Sequence, residues 1–136
     1  RALGEPQSYP RKTKKPKLKT RYGAAFVLRR ADEVLLSRRP DTGLLGGMME
    51  FSGSDWSEDK AAKSTWLNAA PAKRNWQEAG TITHVFTHFR LELTVYMAEL
   101  AAGDTVALNG IWAKTDSLEK YALPSVMVKV GKVAGL

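Results

Sequence analysis

The six residues from Leu91 to Tyr96 constrain this chain more than any other short stretch. Leu91, Leu93 and Val95 alternate with Glu92, Thr94 and Tyr96. Successive side chains of an extended backbone point to opposite faces, so a period of two predicts a half-buried strand. Just upstream, Phe86, Thr87, His88 and Phe89 break the alternation. The stretch 84–93, HVFTHFRLEL, therefore reads as two strands, or one long bent strand, with an aromatic–hydroxyl–imidazole cluster at the break. A flat ring beside a small donor/acceptor and an imidazole suits a planar, hydrogen-bonding ligand such as a nucleobase. The same residues also suit a hairpin tip whose aromatics pack on the core.

The rest of the chain supplies partners for such a strand. Residues 21–30 and 33–39 read as a hairpin around Ala31-Asp32, followed by a loop at Pro40–Gly43. Residues 46–51, GGMMEF, predict a short or bulged strand, with Gly46, Gly47 and Gly53 at sharp turns or close approaches. Ser57 is placed to cap a helix that runs to about Ala70, before Pro71, with Ala62, Trp66 and Leu67 facing the core. Residues 72–80 predict a turn ending at Gly80, then strands at about 81–87 and 89–100 and a loop at 101–109. Residues 110–114 form a strand and 116–121 a helical turn, and Pro124 opens a last helix to about Val133. Strands interspersed with two main helices define a mixed α+β domain.

Charge divides the chain in two. Residues 1–30 hold ten Lys or Arg against one acid, a net +9, whereas residues 31–136 carry −2. Residues 1–20 also contain Pro6, Pro10 and Pro16 and few large aliphatics, so they predict an extended linker ahead of a domain at 21–136. Lys12, Lys14 and Lys15 in that arm, and Arg38 and Arg39 at a strand end, are candidates for DNA phosphates. Both groups also fit a purely solvated role.

Several function classes fall away. No apolar run approaches the ~20 residues that span a bilayer. The start lacks a signal-peptide pattern. Zero cysteines exclude disulfides, thiolate metal sites and a cysteine nucleophile within these residues. His84 and His88 lie four apart, ~13 Å on one face of a straight strand, too far to share a metal unless the chain bends between them.

Residues 43–53 (GLLGGMMEFSG), 84–93 (HVFTHFRLEL) and 123–130 (LPSVMVKV), in this order and spacing, resemble the C-terminal domain of bacterial MutY-type adenine DNA glycosylases. RALGEP at 1–6 is similar to the stretch after the last cysteine of that family's iron–sulfur cluster, and residues 7–22 to its interdomain linker. Relatives often carry Trp at the position of Met49 and Pro at that of Ser52, so the match is weaker there. The resemblance implies a Nudix-like mixed sheet with flanking helices that recognises 8-oxoguanine opposite adenine in DNA. It implies that Phe86-Thr87-His88 forms the lesion-contacting loop, with Thr87 as reader. It further implies an N-terminal catalytic domain holding a 4Fe-4S cluster, a replication or repair protein as possible partner of the linker, and a cytoplasmic, nucleoid-associated bacterial protein.

A stand-alone Nudix pyrophosphohydrolase is the competing class, and a protein-interaction module a third. Nudix enzymes bind divalent metal through the pattern G-x5-E-x7-R-E-U-x-E-E-x-G-U, because hard cations demand oxygen ligands. Started at Gly53, that pattern places Asp59 at its first acid, Leu67 at its arginine, and Asn68, Pro71 and Ala72 at its other glutamates. No metal and no catalysis are therefore expected of this domain by itself.

Overall fold

The computed structural model describes residues 18–101 and 110–136. Lys12, Lys14 and Lys15, most of the predicted linker and most of the 101–109 loop lie outside the described residues. Seven strands form one mixed sheet: β1 (Lys19–Arg30), β2 (Glu33–Arg38), β3 (Met49–Glu50), β4 (Ser52–Gly53), β5 (Gln77–Val85), β6 (Phe89–Leu100) and β7 (Ile111–Lys114). The order is β3-β2-β1-β6-β5, with β4 added on β1 and β7 on β2. β1 and β6 pair in parallel over their full lengths, and every other pair is antiparallel. Two helices, α1 (Lys63–Leu67) and α2 (Ser125–Val133), and a 3-10 segment at Thr115–Lys120 complete the α+β arrangement.

The expected half-buried strand is in fact covered on both sides. Leu91, Leu93 and Val95 pack with Ala25, Val27 and Phe51 under α2, which contributes Val126, Met127 and Val130. Burying side chains of this size stabilises a fold by about 1.5–3 kcal/mol each. On the other face Tyr96, Ala98 and Leu100 join Phe26, Leu28, Trp66 and Trp76. Phe26 stacks on Tyr96 at 5.7 Å and meets the edge of Trp76 at 5.2 Å. Central strands of a two-sided sheet lose their polar alternation for this reason; in β6 only Arg90 and Glu92, at its start, keep it visible.

Three local expectations change. β1 starts at Lys19, inside the lysine-rich stretch, because Lys19–Arg21 pair with Phe89–Leu91. The helix expected from Ser57 begins only at Lys63. Ser57 instead bonds through its backbone to Tyr22 in both directions, at 2.7 and 3.0 Å, which holds its segment against β1. Its hydroxyl accepts the Asp59 N–H at 3.1 Å, a local bond that serves a turn as readily as a helix cap. The helix does end before Pro71 and buries Trp66 as expected, but Ala62 is exposed. Residues 77–80, expected as a turn, are the start of β5, where a bulge between Glu78 and Gly80 interrupts the pairing. Gly80 has φ +153°, and a Cβ there would sit 3.0 Å from Val133 of α2. The glycine marks a bulge under a helix, not the end of a turn.

Candidate nucleic-acid interface

The break in alternation at 86–89 is a tight hairpin tip between β5 and β6. The Phe86 N–H donates to the Phe89 carbonyl at 2.8 Å and closes the turn. Thr87 and His88 occupy the tip, both exposed. Among the described residues neither side chain makes a hydrogen bond or ion pair, so the tip is held by its neighbours and not by its own polar groups.

Those neighbours are rings. Phe89 is buried in the core beneath α2, and Phe86 packs on it with centroids 4.9 Å apart. Trp56 stacks on Phe86 at 6.2 Å with planes 24° apart. The His84 ring meets Phe86 edge-on at 4.8 Å. Trp56 reaches this position because Gly23 faces it on β1: a Cβ on Gly23 would lie 2.6 Å from the indole. Phe86 and Phe89 thus support the tip through packing, and Trp56, which sequence inspection passed over, is the third member of the support. Only the pairing of the 52–57 segment with β1 brings Trp56 to the hairpin, and no local pattern signals that.

A cleft of about 550 Å³ opens beside the rings, lined in part by Arg21, Arg39, Glu50, Ser54, Asp55 and Trp56. Arg39 donates to Glu50 at 2.6 Å and lies 5.2 Å from the Trp56 ring centre. It also donates to the Leu44 carbonyl at 3.1 Å. Arg38 points elsewhere and pairs with Asp41 at 3.1 Å. The two adjacent arginines therefore differ in kind: the Arg38 side chain is 67% exposed, that of Arg39 20%. An exposed pair such as Arg38–Asp41 contributes little. A half-buried, short, charge-assisted pair fixes its geometry more firmly.

His84 is tied to the opposite helix. Lys129 on α2 donates to the Thr83 carbonyl at 3.0 Å and meets His84 Nδ1 at 3.1 Å. An ammonium is only a donor, so Nδ1 accepts and the ring proton sits on Nε2. Burial, and then the Lys129 charge, hold the imidazole below its ordinary pKa, so it is neutral near pH 7.

The metal-binding pattern of the sequence has no matching donor set in the fold. Asp59 precedes α1, and Asn68, Pro71 and Ala72 follow its five residues. Glu50 and Glu92, acids outside that pattern, pair with Arg39 and Lys60 respectively. Among the described residues no three His, Asp or Glu side chains cluster to hold a metal ion. The residues present do not fit the divalent cation that such a fold carries in its enzymes.

A mixed sheet covered by α2 on one face and α1 on the other, with a cleft beside β1, defines a Nudix-type domain. The model of the NUDIX domain matches residues 24–132, and the chain belongs to that family. It is also similar to the adenine DNA glycosylases of mouse and human. The mouse protein is 30% identical over 90% of this chain and 27% of its own length. The human one is 28% identical over 93% of this chain and 26% of its own. The chain thus spans about a quarter of the curated relatives it matches. The C-terminal domain of mouse MUTYH, solved in complex with human PCNA, superposes with a TM-score of 0.65 at 24% identity, over 84% of this chain and 86% of that one. No helix among the described residues is long and apolar enough to cross a membrane.

Proposed function

We propose that this chain is the lesion-reading domain of an adenine DNA glycosylase, recognising 8-oxoguanine opposite the adenine that a separate N-terminal domain removes. The observation that carries the proposal is the hairpin tip: an exposed, unengaged hydroxyl and imidazole at Thr87 and His88 held on packed rings. Oxidation of guanine adds an oxygen at C8 and turns N7 from acceptor into N–H donor. A hydroxyl accepts from that N–H and donates to that oxygen, whereas ordinary guanine mispairs with one of the two contacts. A buried mispaired group costs about 1–3 kcal/mol, roughly ten- to hundredfold in discrimination.

On this reading the domain binds and positions damaged duplex DNA and performs no chemistry. Hydrolysis of the glycosidic bond, and the 4Fe-4S cluster, belong to the N-terminal domain. Lys12, Lys14 and Lys15 of the arm add phosphate contacts. The likeness to a domain solved with PCNA supports a replication or repair protein as a further partner.

The test is a Thr87 series in the full-length glycosylase. Thr87→Ala should lower the preference for adenine opposite 8-oxoguanine over adenine opposite guanine by about 1–3 kcal/mol. Thr87→Ser keeps the hydroxyl and should be nearly neutral, and Thr87→Val keeps the shape and should behave as alanine. Single-turnover rates and duplex affinities on both substrates decide it. Full preference in Thr87→Val sinks the hydroxyl as reader.

A further inference from the structure

The register of the sheet delivers a second group to the tip. β1 and β6 run in parallel, with Lys19 opposite Phe89 and Arg21 opposite Leu91. Residues opposed across strands share a face, so Arg21 emerges on the face of Phe89, Phe86 and Trp56. Its guanidinium lies 4.4 Å from the centre of the Phe89 ring. Phe89 is two residues from Thr87, a span of at most about 7 Å.

Among the described arginines, Arg21 is distinguished by lying on a ring beneath the tip without a carboxylate partner, although Arg29, Arg74 and Arg90 lack such a partner too. Arg30 pairs with Glu33, Arg38 with Asp41 and Arg39 with Glu50. Among the described residues the Arg21 side chain has no carboxylate partner and donates no hydrogen bond; its guanidinium lies on the Phe89 ring at the border of the cleft. A guanidinium lying on a ring is oriented through its face, and its N–H edge stays free. That edge offers paired donors matched to two phosphate oxygens, and the ring has already restricted the side chain.

We propose that Arg21 is a phosphate contact for the DNA strand whose base the tip reads, and that it serves this role in place of Arg38, which lies outside the cleft beside the tip, and Arg39, whose guanidinium is held by Glu50 and the Leu44 carbonyl. The inference rests on the proposed lesion-reading function and assigns it an anchor. Thr87 reads the base, and Arg21 holds the backbone beside it. Phosphate contacts fix register without carrying sequence information, so the two residues have separable signatures.

The experiment measures affinity of the full-length glycosylase for a duplex with a non-cleavable adenine analogue opposite 8-oxoguanine or guanine, across a range of salt. Arg21→Gln should reduce the log–log salt slope by about 0.9 and weaken both duplexes alike. Arg21→Lys keeps the charge and should keep the slope. Arg38→Gln should leave it at the wild-type value. A wild-type slope in Arg21→Gln overturns the anchor, including the case where stability falls because Arg21 only braces Phe89. That failure is distinct from failure of the reading itself, which shows as retained lesion preference in Thr87→Val with the Arg21 slope effect intact.

Discussion

The hairpin at 84–89 lies at the edge of the sheet and the segment at 57–70 crosses one of its faces, and their side chains are used in opposite ways. At the hairpin the polar groups of Thr87 and His88 point outward and unengaged while Phe86, Phe89 and Trp56 hold the backbone. Along 57–70 the backbone of Ser57 is tied to β1, and the helix that follows lasts five residues and buries only Trp66. Where Nudix enzymes place carboxylates, this chain has Asn68, Pro71 and Ala72. The chain combines a two-sided core with a stretch that lacks those carboxylates and a tip that projects from the sheet edge. Fold and function separate here because packing needs only the apolar faces.

That contrast breaks most visibly at Trp66. If α1 serves packing alone, Trp66→Ala opens a cavity in the second core and should cost about 3–5 kcal/mol of stability. Urea unfolding measures that cost. The lesion preference of the molecules that remain folded should not change. A change in preference at full folding would give α1 a part in recognition.

Trp56 sharpens the other half of the comparison. It is half-buried and stacks on Phe86, so Trp56→Leu should cost less, about 1–2 kcal/mol. Here the preference for adenine opposite 8-oxoguanine should fall as well, because the ring under the tip is gone. Stability loss with undiminished preference would mean that the Phe86–Phe89 backbone bond positions Thr87 without the stack.

Most strands were legible in the sequence, because their apolar residues fall at period two or in short runs between turn residues. The tip was legible because four residues in succession broke that period. What stayed hidden depended on distant partners. β1 begins among linker-like lysines since only its parallel pairing with β6 orders them. Gly80 looks like a turn, and only the position of Val133 reveals a bulge. Ser57 satisfies a capping rule locally, yet its backbone is claimed by Tyr22. Arg38 and Arg39 look alike as neighbours and differ once Glu50 is folded next to one of them. Trp56 and Arg21 carry no pattern at all; the cross-sheet register alone brings them to the tip.

The smallest expected effect concerns pH. His84 packs its ring edge on Phe86, and Lys129 of α2 donates to Nδ1, so the neutral ring belongs to the supported tip. Burial and the Lys129 charge lower its pKa in the fold below the ordinary value of about 6.5. Between the folded and unfolded values the unfolded chain binds more protons, so stability rises with pH across that window. The contribution of the neutral ring is complete above about pH 6.5 and is lost as pH falls toward the folded value. Urea unfolding of wild type and His84→Gln at pH 7, 6 and 5 should show wild type losing more on acidification. Lys129→Met removes only the second cause, so it should flatten the wild-type loss in part. The protonated ring would also repel Lys129, loosening the link between α2 and β5 next to Phe86, so lesion preference should decline slightly over the same range. Equal pH dependence in wild type and His84→Gln would detach His84 from the tip and leave the ring stack and the Phe86–Phe89 backbone bond to support it.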